Sequence, residues 1–237
     1  MQPKVSIMIP IWSEVDSLKV VVDGLYERIG DYIHEIFFIV APQSSAACFN
    51  MCQRLASEHP EIQVMIQKVC PGLGHAYKQV FPHVTGTHML VIDADDEMDL
   101  DTVPKMVAAA EQGYDLVLPT RWMPGGGVKG YDTMTYILNR GFQTIFRLVF
   151  LTPARDLTYG FKLFNTRLIN EVDWWGEWHE IAMETTLKPL KLGYKYIEIP
   201  TWWKARTQGV SKINTLKRMR YVKFALRIRF ANIKKRI

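Results

Sequence analysis

Cysteine is scarce in this sequence, and long apolar runs are missing. The three cysteines, Cys48, Cys52 and Cys70, do not make the paired sets of a structural metal site. Cys48 and Cys52 would lie one turn apart on a helix, with no second Cys or His pair to complete four ligands. They read as reduced core thiols of a cytoplasmic protein. No stretch approaches the ~18–20 consecutive apolar residues of a membrane-spanning helix. The first apolar run, Val5 to Trp12, is too short for a signal peptide and lacks the leading basic segment, so none is expected. No internal repeat or low-complexity segment is present.

Acidic residues run out at Glu198. Twelve of the 29 Lys and Arg follow it, which leaves 17 basic against 24 acidic residues, a net charge of −7, for the rest of the chain. A mildly acidic body thus carries a basic C-terminal arm, suited to phosphates or an anionic surface. No recognised nucleic-acid module accompanies the arm, so nucleic acid is not an expected partner. With 237 residues, 48% of them hydrophobic, the chain can bury a sizeable core in one α/β domain.

The apolar run Val5–Ile11 reads as a buried parallel strand, and Glu35–Val40, Ile62–Gln67, His88–Ile92 and Asp115–Thr120 read as the strands that follow it. Helices are expected between them. One is N-capped by Asp16, one is capped by Ser44 or Ser45, one opens at Gly72-Leu73-Gly74-His75, and one covers Thr102–Gln112 with Gly113 at its end. Strands and helices alternating at this spacing imply a Rossmann-like, mostly parallel sheet with helices on both faces. Ligands then sit beyond the carboxyl ends of the strands. The second half is less regular. Pro124–Gly127 reads as a loop, Tyr131–Leu151 and Trp178–Leu192 as helices, Tyr196–Pro200 as a strand and Thr201–Lys212 as a loop. A last helix runs from Leu216 to about Phe230. Its apolar positions Leu216, Met219, Val222, Leu226, Phe230 and Ile233 form an amphipathic stripe among basic residues. The expected organisation is a domain over residues 1–212 followed by a basic amphipathic helix over 213–237.

Asp93 and Asp95 are the sharpest chemical feature. Two carboxylates one residue apart, after a buried strand, point the same way in an extended chain. Asp96, Glu97, Asp99 and Asp101 add negative charge, which favours a hard divalent cation with oxygen ligands. Asp99 and Asp101 read rather as helix caps or solvated acids.

Asp93-Ala94-Asp95-Asp96 after an apolar strand is similar to the Asp-Ala-Asp motif of family 2 glycosyltransferases, whose fold is called GT-A. Other segments resemble the family in its own order. Val5–Glu14 looks like the opening strand and its Pro-x-x-Asn-Glu turn, with Ser13 in the Asn place. Gly72–Ala76 resembles the small-residue segment before the metal strand, and Arg121 the Arg after the fifth strand. Asp156–Lys162 resembles Asp-x-Thr-Ser-Gly-Phe-Arg. Arg206–Lys212 matches Arg-x-x-Gly-x-Ser-Lys and points toward the dolichyl- and polyprenyl-phosphate sugar synthases. Two segments depart from the pattern. Ala41-Pro42-Gln43-Ser44 stands where the family carries an Asp-Asp pair contacting the nucleoside. No Arg precedes Arg140 in the segment that begins at Tyr131.

The resemblance implies an inverting glycosyltransferase with Mg²⁺ or Mn²⁺ on Asp93 and Asp95. A nucleotide diphosphate sugar, GDP-mannose or UDP-hexose, would be the donor. Polyprenyl or dolichyl phosphate, or a glycan, would be the acceptor. Asp95, Asp156, Arg206 and Lys212 are the implied catalytic residues, and Pro10, Glu14, Asp93, Arg121, Glu184 and Ser211 the implied substrate contacts. A phosphate acceptor is already anionic and needs no general base, whereas a saccharide hydroxyl needs one, for which Asp156 or Glu184 is the candidate. The expected location is peripheral, on the cytoplasmic face of a membrane. The rival reading is a non-catalytic module that holds sugar nucleotide or lipid without turnover.

Overall fold

In a computed structural model, the structure describes residues 2–205 and 215–236, the side chains of 215–220 excepted. Seven strands form one sheet in the order β3-β2-β1-β4-β7-β5-β8. They are β1 (Val5–Ile11), β2 (Ile33–Val40), β3 (Ile62–Ile66), β4 (His88–Val91), β5 (Leu116–Thr120), β7 (Lys162–Asn165) and β8 (Tyr196–Pro200). All neighbours are parallel except β7, which runs antiparallel between β4 and β5. A separate parallel ribbon joins β6 (Gly127–Lys129) to β9 (Trp202–Lys204).

The central strands are largely apolar because both their faces are covered. Ile7, Ile9 and Ile11 of β1, with Ile36, Phe38 and Val40 of β2, pack on one side. That side is covered by α1 (Asp16–Ile29), α2 (Ala46–Glu58) and α4 (Val103–Glu111). The alternate residues Met8, Phe37 and Ile39 face the other way. There they meet α3 (Leu73–Val80), α5 (Thr133–Phe150), α7 (Glu180–Lys191) and α8 (Thr215–Phe230), while a short α6 (Arg167–Glu171) follows β7. This is the doubly covered sheet that the alternating pattern implied. Cys48 and Cys52 sit on the buried face of α2, and Cys70 is half-buried, all three as free thiols.

Several local expectations shift. Asp16 is the first residue of α1 rather than its side-chain cap, and the capping position falls on Val15. Ser45, not Ser44, caps α2, its hydroxyl accepting from the Cys48 N–H at 3.2 Å. The loops expected at Pro124–Gly127 and Thr201–Lys212 each contribute a strand to the small ribbon. On α8, Tyr221, Phe224, Ala225 and Ile228 pack inward, whereas Val222, Leu226 and Phe230 of the expected stripe point outward. Lys191 fixes the end of that helix, its Nζ donating to the carbonyls of Ile228, Arg229 and Ala231 at 2.8, 2.7 and 2.8 Å.

Lys162 ties β7 to α7. It is fully buried, and its Nζ donates to the Ala182 carbonyl at 2.5 Å and the Thr186 hydroxyl at 2.7 Å. Burial lowers its pKa from the ordinary 10.5 to about 7, against the opposing charge of Asp156. The unfolded chain therefore binds this proton up to about pH 10.5, while the folded chain releases it near 7. Stability from this group rises with pH across that window and is flat below it. Relative to Lys162→Met, the parent should gain about 1–2 kcal/mol between pH 7 and 9 in urea unfolding. Parallel pH profiles for the two proteins would refute the assignment.

Candidate active site

The parallel strands end on one edge of the sheet, and several of the residues singled out in the sequence lie there. β1 delivers Trp12 to Glu14, β2 delivers Ala41 to Ser44, β4 delivers Asp93 to Asp95, and β5 delivers Arg121. Because β7 runs the other way, its beginning lies at the same edge, which brings in Asp156–Phe161. Pro10 in β1 and Pro119 in β5 lie beyond the last rungs to β4 and β7, at Met8↔Val91 and Val117↔Leu163. On those sides the ladder no longer needs their missing N–H.

Asp93 and Asp95 are half-buried in the turn after β4, which closes through Asp96 at φ 58°. Asp95 Oδ1 accepts from the Glu97 N–H at 3.2 Å. The acids further along have structural work. Asp99 caps a 3₁₀ turn through the Asp101 N–H at 3.1 Å, and Asp101 pairs with Arg28 at 2.8 Å. Among the described residues, no group of three or more His, Cys, Asp or Glu is gathered to hold a metal alone. Two hard carboxylates at a strand end suit a Mg²⁺ or Mn²⁺ ion that keeps substrate phosphate oxygens in its shell.

Arg121 and Asp156 form the strongest polar contact at this edge. Arg121 Nε and Nη2 donate to the two Asp156 oxygens at 2.7 and 3.0 Å, and the Arg121 backbone N–H adds a third bond at 3.2 Å. The Asp156 side chain is fully buried and that of Arg121 is 11% exposed. Gln143 of α5 donates to Asp156 at 3.3 Å and accepts from the Leu157 N–H at 2.9 Å. Burial opposes the guanidinium charge, yet Asp156 raises the Arg121 pKa above its ordinary value. Asp156 thus spends both oxygens on fixed donors, an arrangement that anchors Arg121 rather than one that leaves a carboxylate open to take a substrate proton.

Glu184 is likewise not placed as an open base. It is fully buried on α7. Its two oxygens accept from the N–H groups of Trp175 and Gly176, each at 2.7 Å, and it pairs with Lys188 at 2.5 Å. Through these bonds it holds the Trp175–Trp178 loop, which in turn holds the start of α3. The Gly74 and His75 N–H groups donate to the Trp178 and Glu177 carbonyls at 3.2 Å each. A Cβ on Gly74 would come within 2.3 Å of the Gly176 carbonyl oxygen, so the two loops touch backbone to backbone. The Trp175 ring carries two cations, Lys188 Nζ at 3.4 Å and Arg227 Cζ of α8 at 4.5 Å from its centroid.

Glu14 shapes the turn after β1, its Oε2 accepting from the N–H groups of Trp12 and Ser13 at 2.7 and 2.8 Å. In the departing Ala41–Ser44 segment, Ser44 Oγ donates to the Trp12 carbonyl at 2.7 Å and Gln43 Nε2 lies 3.4 Å from Cys70 Sγ. Arg206, Ser211 and Lys212 lie outside the described residues. The chain approaches them along β9, where the Lys204 N–H donates to the Glu97 carbonyl at 2.9 Å and Trp203 bridges Met98. Sequence reasoning missed this ribbon, which binds the approach to Arg206 onto the acid turn. A cleft of about 470 Å³, lined by Phe81, Gly86, Asn165 and Arg167 among others, opens at the opposite edge of the sheet, away from these groups.

Residues 6–173 match the model of glycosyl transferase family 2, and the chain belongs to that family. The dolichol-phosphate mannosyltransferase of Pyrococcus furiosus is 24% identical over 230 residues, 95% of this chain. This chain spans 63% of that relative's length. The polyprenol monophosphomannose synthase of Mycolicibacterium smegmatis is 24% identical over 215 residues, 88% of this chain and 80% of the relative. Among solved structures, glucosyl-3-phosphoglycerate synthase of Mycobacterium tuberculosis, in complex with Mn²⁺, UDP and phosphoglyceric acid, superposes with a TM-score of 0.70 at 15% identity. That match covers 96% of this chain and 78% of the other. A complex of the same synthase with Mg²⁺ and UDP gives 0.68 at 15% identity, over 96% and 79% of the two chains. The fold is therefore GT-A, as the motifs implied.

Removing one member of a buried ion pair leaves its partner's charge uncompensated. Asp156→Asn is therefore expected to destabilise the protein by about 3 kcal/mol, read as a shift in the urea midpoint. Unchanged stability would show that Asp156 is not the anchor of this edge.

Proposed function

We propose that this chain is a metal-dependent, inverting glycosyltransferase that moves a sugar from a nucleotide diphosphate to a polyprenyl or dolichyl phosphate. The observation that carries the reading is the meeting, at one sheet edge, of the Asp93–Asp95 turn with Arg121 locked on Asp156. An acceptor phosphate oxygen would bond to the anomeric carbon as the bond to the nucleotide diphosphate breaks, with inversion at that carbon. Asp95, with Asp93 beside it on metal or ribose, would hold Mg²⁺ or Mn²⁺. That ion would supply positive charge to the leaving diphosphate. Arg121 adds a fixed cation at the same edge, preorganised by its ion pair. Arg206 and Lys212 are proposed to add further cations and Ser211 a hydroxyl contact. Pro10 and Glu14 set the turn that borders the nucleotide.

An anionic acceptor also fits the engagement of both acids that were candidates for the base of a hydroxyl acceptor. Asp156 and Glu184 are both occupied by donors, and a phosphate oxygen needs no base. The relatives' names point to different acceptors, a dolichol or polyprenol phosphate in two and a phosphoglycerate in the solved structure. The exposed apolar surface favours the lipid. Along α5, Met134, Ile137, Leu138, Ile145 and Leu148 are exposed, and Leu151 follows them. On α8, Val222, Leu226 and Phe230 are exposed, and Arg229 Nε joins the helices by donating to the Val149 carbonyl at 2.8 Å. No acidic residue follows Glu198, so the apolar face is edged by cations. Such a face suits an anionic membrane interface, as on a cytoplasmic leaflet. No helix among the described residues is long and apolar enough to cross a membrane.

Two outcomes are expected. In calorimetric titration, UDP or GDP should bind the parent more tightly with Mn²⁺ than with EDTA. Asp95→Ala should lose that metal-dependent increment while keeping the parent's unfolding midpoint. Equal binding with and without metal would count against the site. On the lipid side, Leu226→Glu with Phe230→Glu should release the protein from vesicles rich in phosphatidylserine. The parent should sediment with them, and a parent that stays in the supernatant removes the membrane from the account.

A further inference from the structure

Two buried phenols near the acid pair have no hydrogen-bond partner among the described residues. Tyr77 on α3 is fully buried, and Tyr159, in the turn before β7, is 6% exposed. A buried hydroxyl without a partner is a burden on the folded state, and native proteins keep few of them.

Tyr159 is the one that packs on the cation of the candidate site. Its ring lies against the Arg121 guanidinium, 4.2 Å from Cζ to the centroid, and meets Phe161 edge-on at 6.0 Å. Arg121 is itself immobilised by the bidentate pair with Asp156. The phenol is thus held rigidly at the edge where the acid turn and the cation meet. Burial raises its pKa well above the ordinary value, and the charges of Asp156, Asp93 and Asp95 add to this against Arg121. A phenol kept protonated is a hydrogen-bond donor, and a phosphate oxygen is the acceptor that matches a donor beside an arginine. The sequence adds an independent point. In the segment that resembles Asp-x-Thr-Ser-Gly-Phe-Arg, this chain carries Tyr159 in the Ser place, so the phenol is its own feature.

We propose that the Tyr159 hydroxyl is a phosphate-binding donor of the active site, acting beside Arg121 on an anionic oxygen of a substrate. The proposal rests on the glycosyl-transfer reading, which offers two sources of phosphate, the donor's diphosphate and the acceptor's monophosphate. The uncompensated hydroxyl of the unliganded protein is then explained, because its partner arrives with the substrate. This is a stability–function trade in a single atom: the group that weakens the empty fold strengthens the complex.

Tyr159→Phe removes that atom and keeps the ring against Arg121. The variant's unfolding midpoint should equal or exceed the parent's. Its affinity, measured by calorimetry against UDP and GDP with Mn²⁺ in one arm and a short-chain polyprenyl monophosphate in the other, should fall about tenfold in one arm. The arm that responds identifies the source of the phosphate. Parent-like affinity in both arms overturns the proposal and leaves the glycosyl-transfer reading intact. A lowered midpoint overturns it too, since the hydroxyl would then have a structural partner. A parent that binds neither nucleotide nor lipid phosphate defeats the glycosyl-transfer reading, and the proposal with it.

Discussion

The buried bidentate pair between Arg121 and Asp156 stands where the two halves of the chain meet. Arg121 directly follows β5, the last strand of the regular α/β half, and Asp156 begins the segment that turns back into β7. An ion pair so shielded from water is stable only with its geometry complete. Completing it here requires β7 to enter the sheet antiparallel, between β4 and β5. That insertion brings Tyr159 against Arg121 and seats Lys162 under α7. Gln143 of α5 completes the cluster by bonding both Asp156 and the Leu157 N–H. The outer helix with the exposed apolar face is therefore tied by a hydrogen bond to the centre of the candidate site.

Charge is arranged on the same plan. The acid turn after β4 sits in a body of net negative charge, and the cations are concentrated in the last part of the chain. Several contacts fold that basic part back onto the body. Among them, the Lys204 backbone N–H donates to the Glu97 carbonyl beside the acid turn, and Arg227 stands over Trp175 on the loop that holds the start of α3. A protein that brings two anionic phosphates together needs cations on both sides of the reacting carbon. Helix α8 packs on the same sheet whose edge carries the acid turn.

Much of this was legible in the sequence, and the physical reasons are particular. β1, β2 and β4 announce themselves because strands covered on both faces carry no polar alternation to confuse with a helix. Asp93 and Asp95 stand out because paired acids after such a strand have few structural uses. Other features left no periodic signal. The β6–β9 ribbon is built from a Gly-rich and a Trp-rich triplet, each too short to show a period. The antiparallel entry of β7 depends on a pairing distant in sequence. On α8 two faces compete, Val222–Leu226–Phe230 and Tyr221–Phe224–Ala225–Ile228. The second packs inward, with the small Ala225 buried in the contact. Glu184 reads in sequence as one acid on a helix, and only the fold shows both its oxygens spent on the Trp175–Gly176 backbone.

The central claim is glycosyl transfer to a lipid phosphate, and product analysis reaches it most directly. The purified protein, with Mn²⁺ or Mg²⁺ and a panel of α-linked sugar nucleotides, should convert a short-chain polyprenyl monophosphate into its glycosyl derivative with one nucleotide. NMR of that product should show the β configuration at the anomeric carbon. Transfer with retained configuration, or transfer to saccharide hydroxyls but never to the lipid phosphate, would contradict the account.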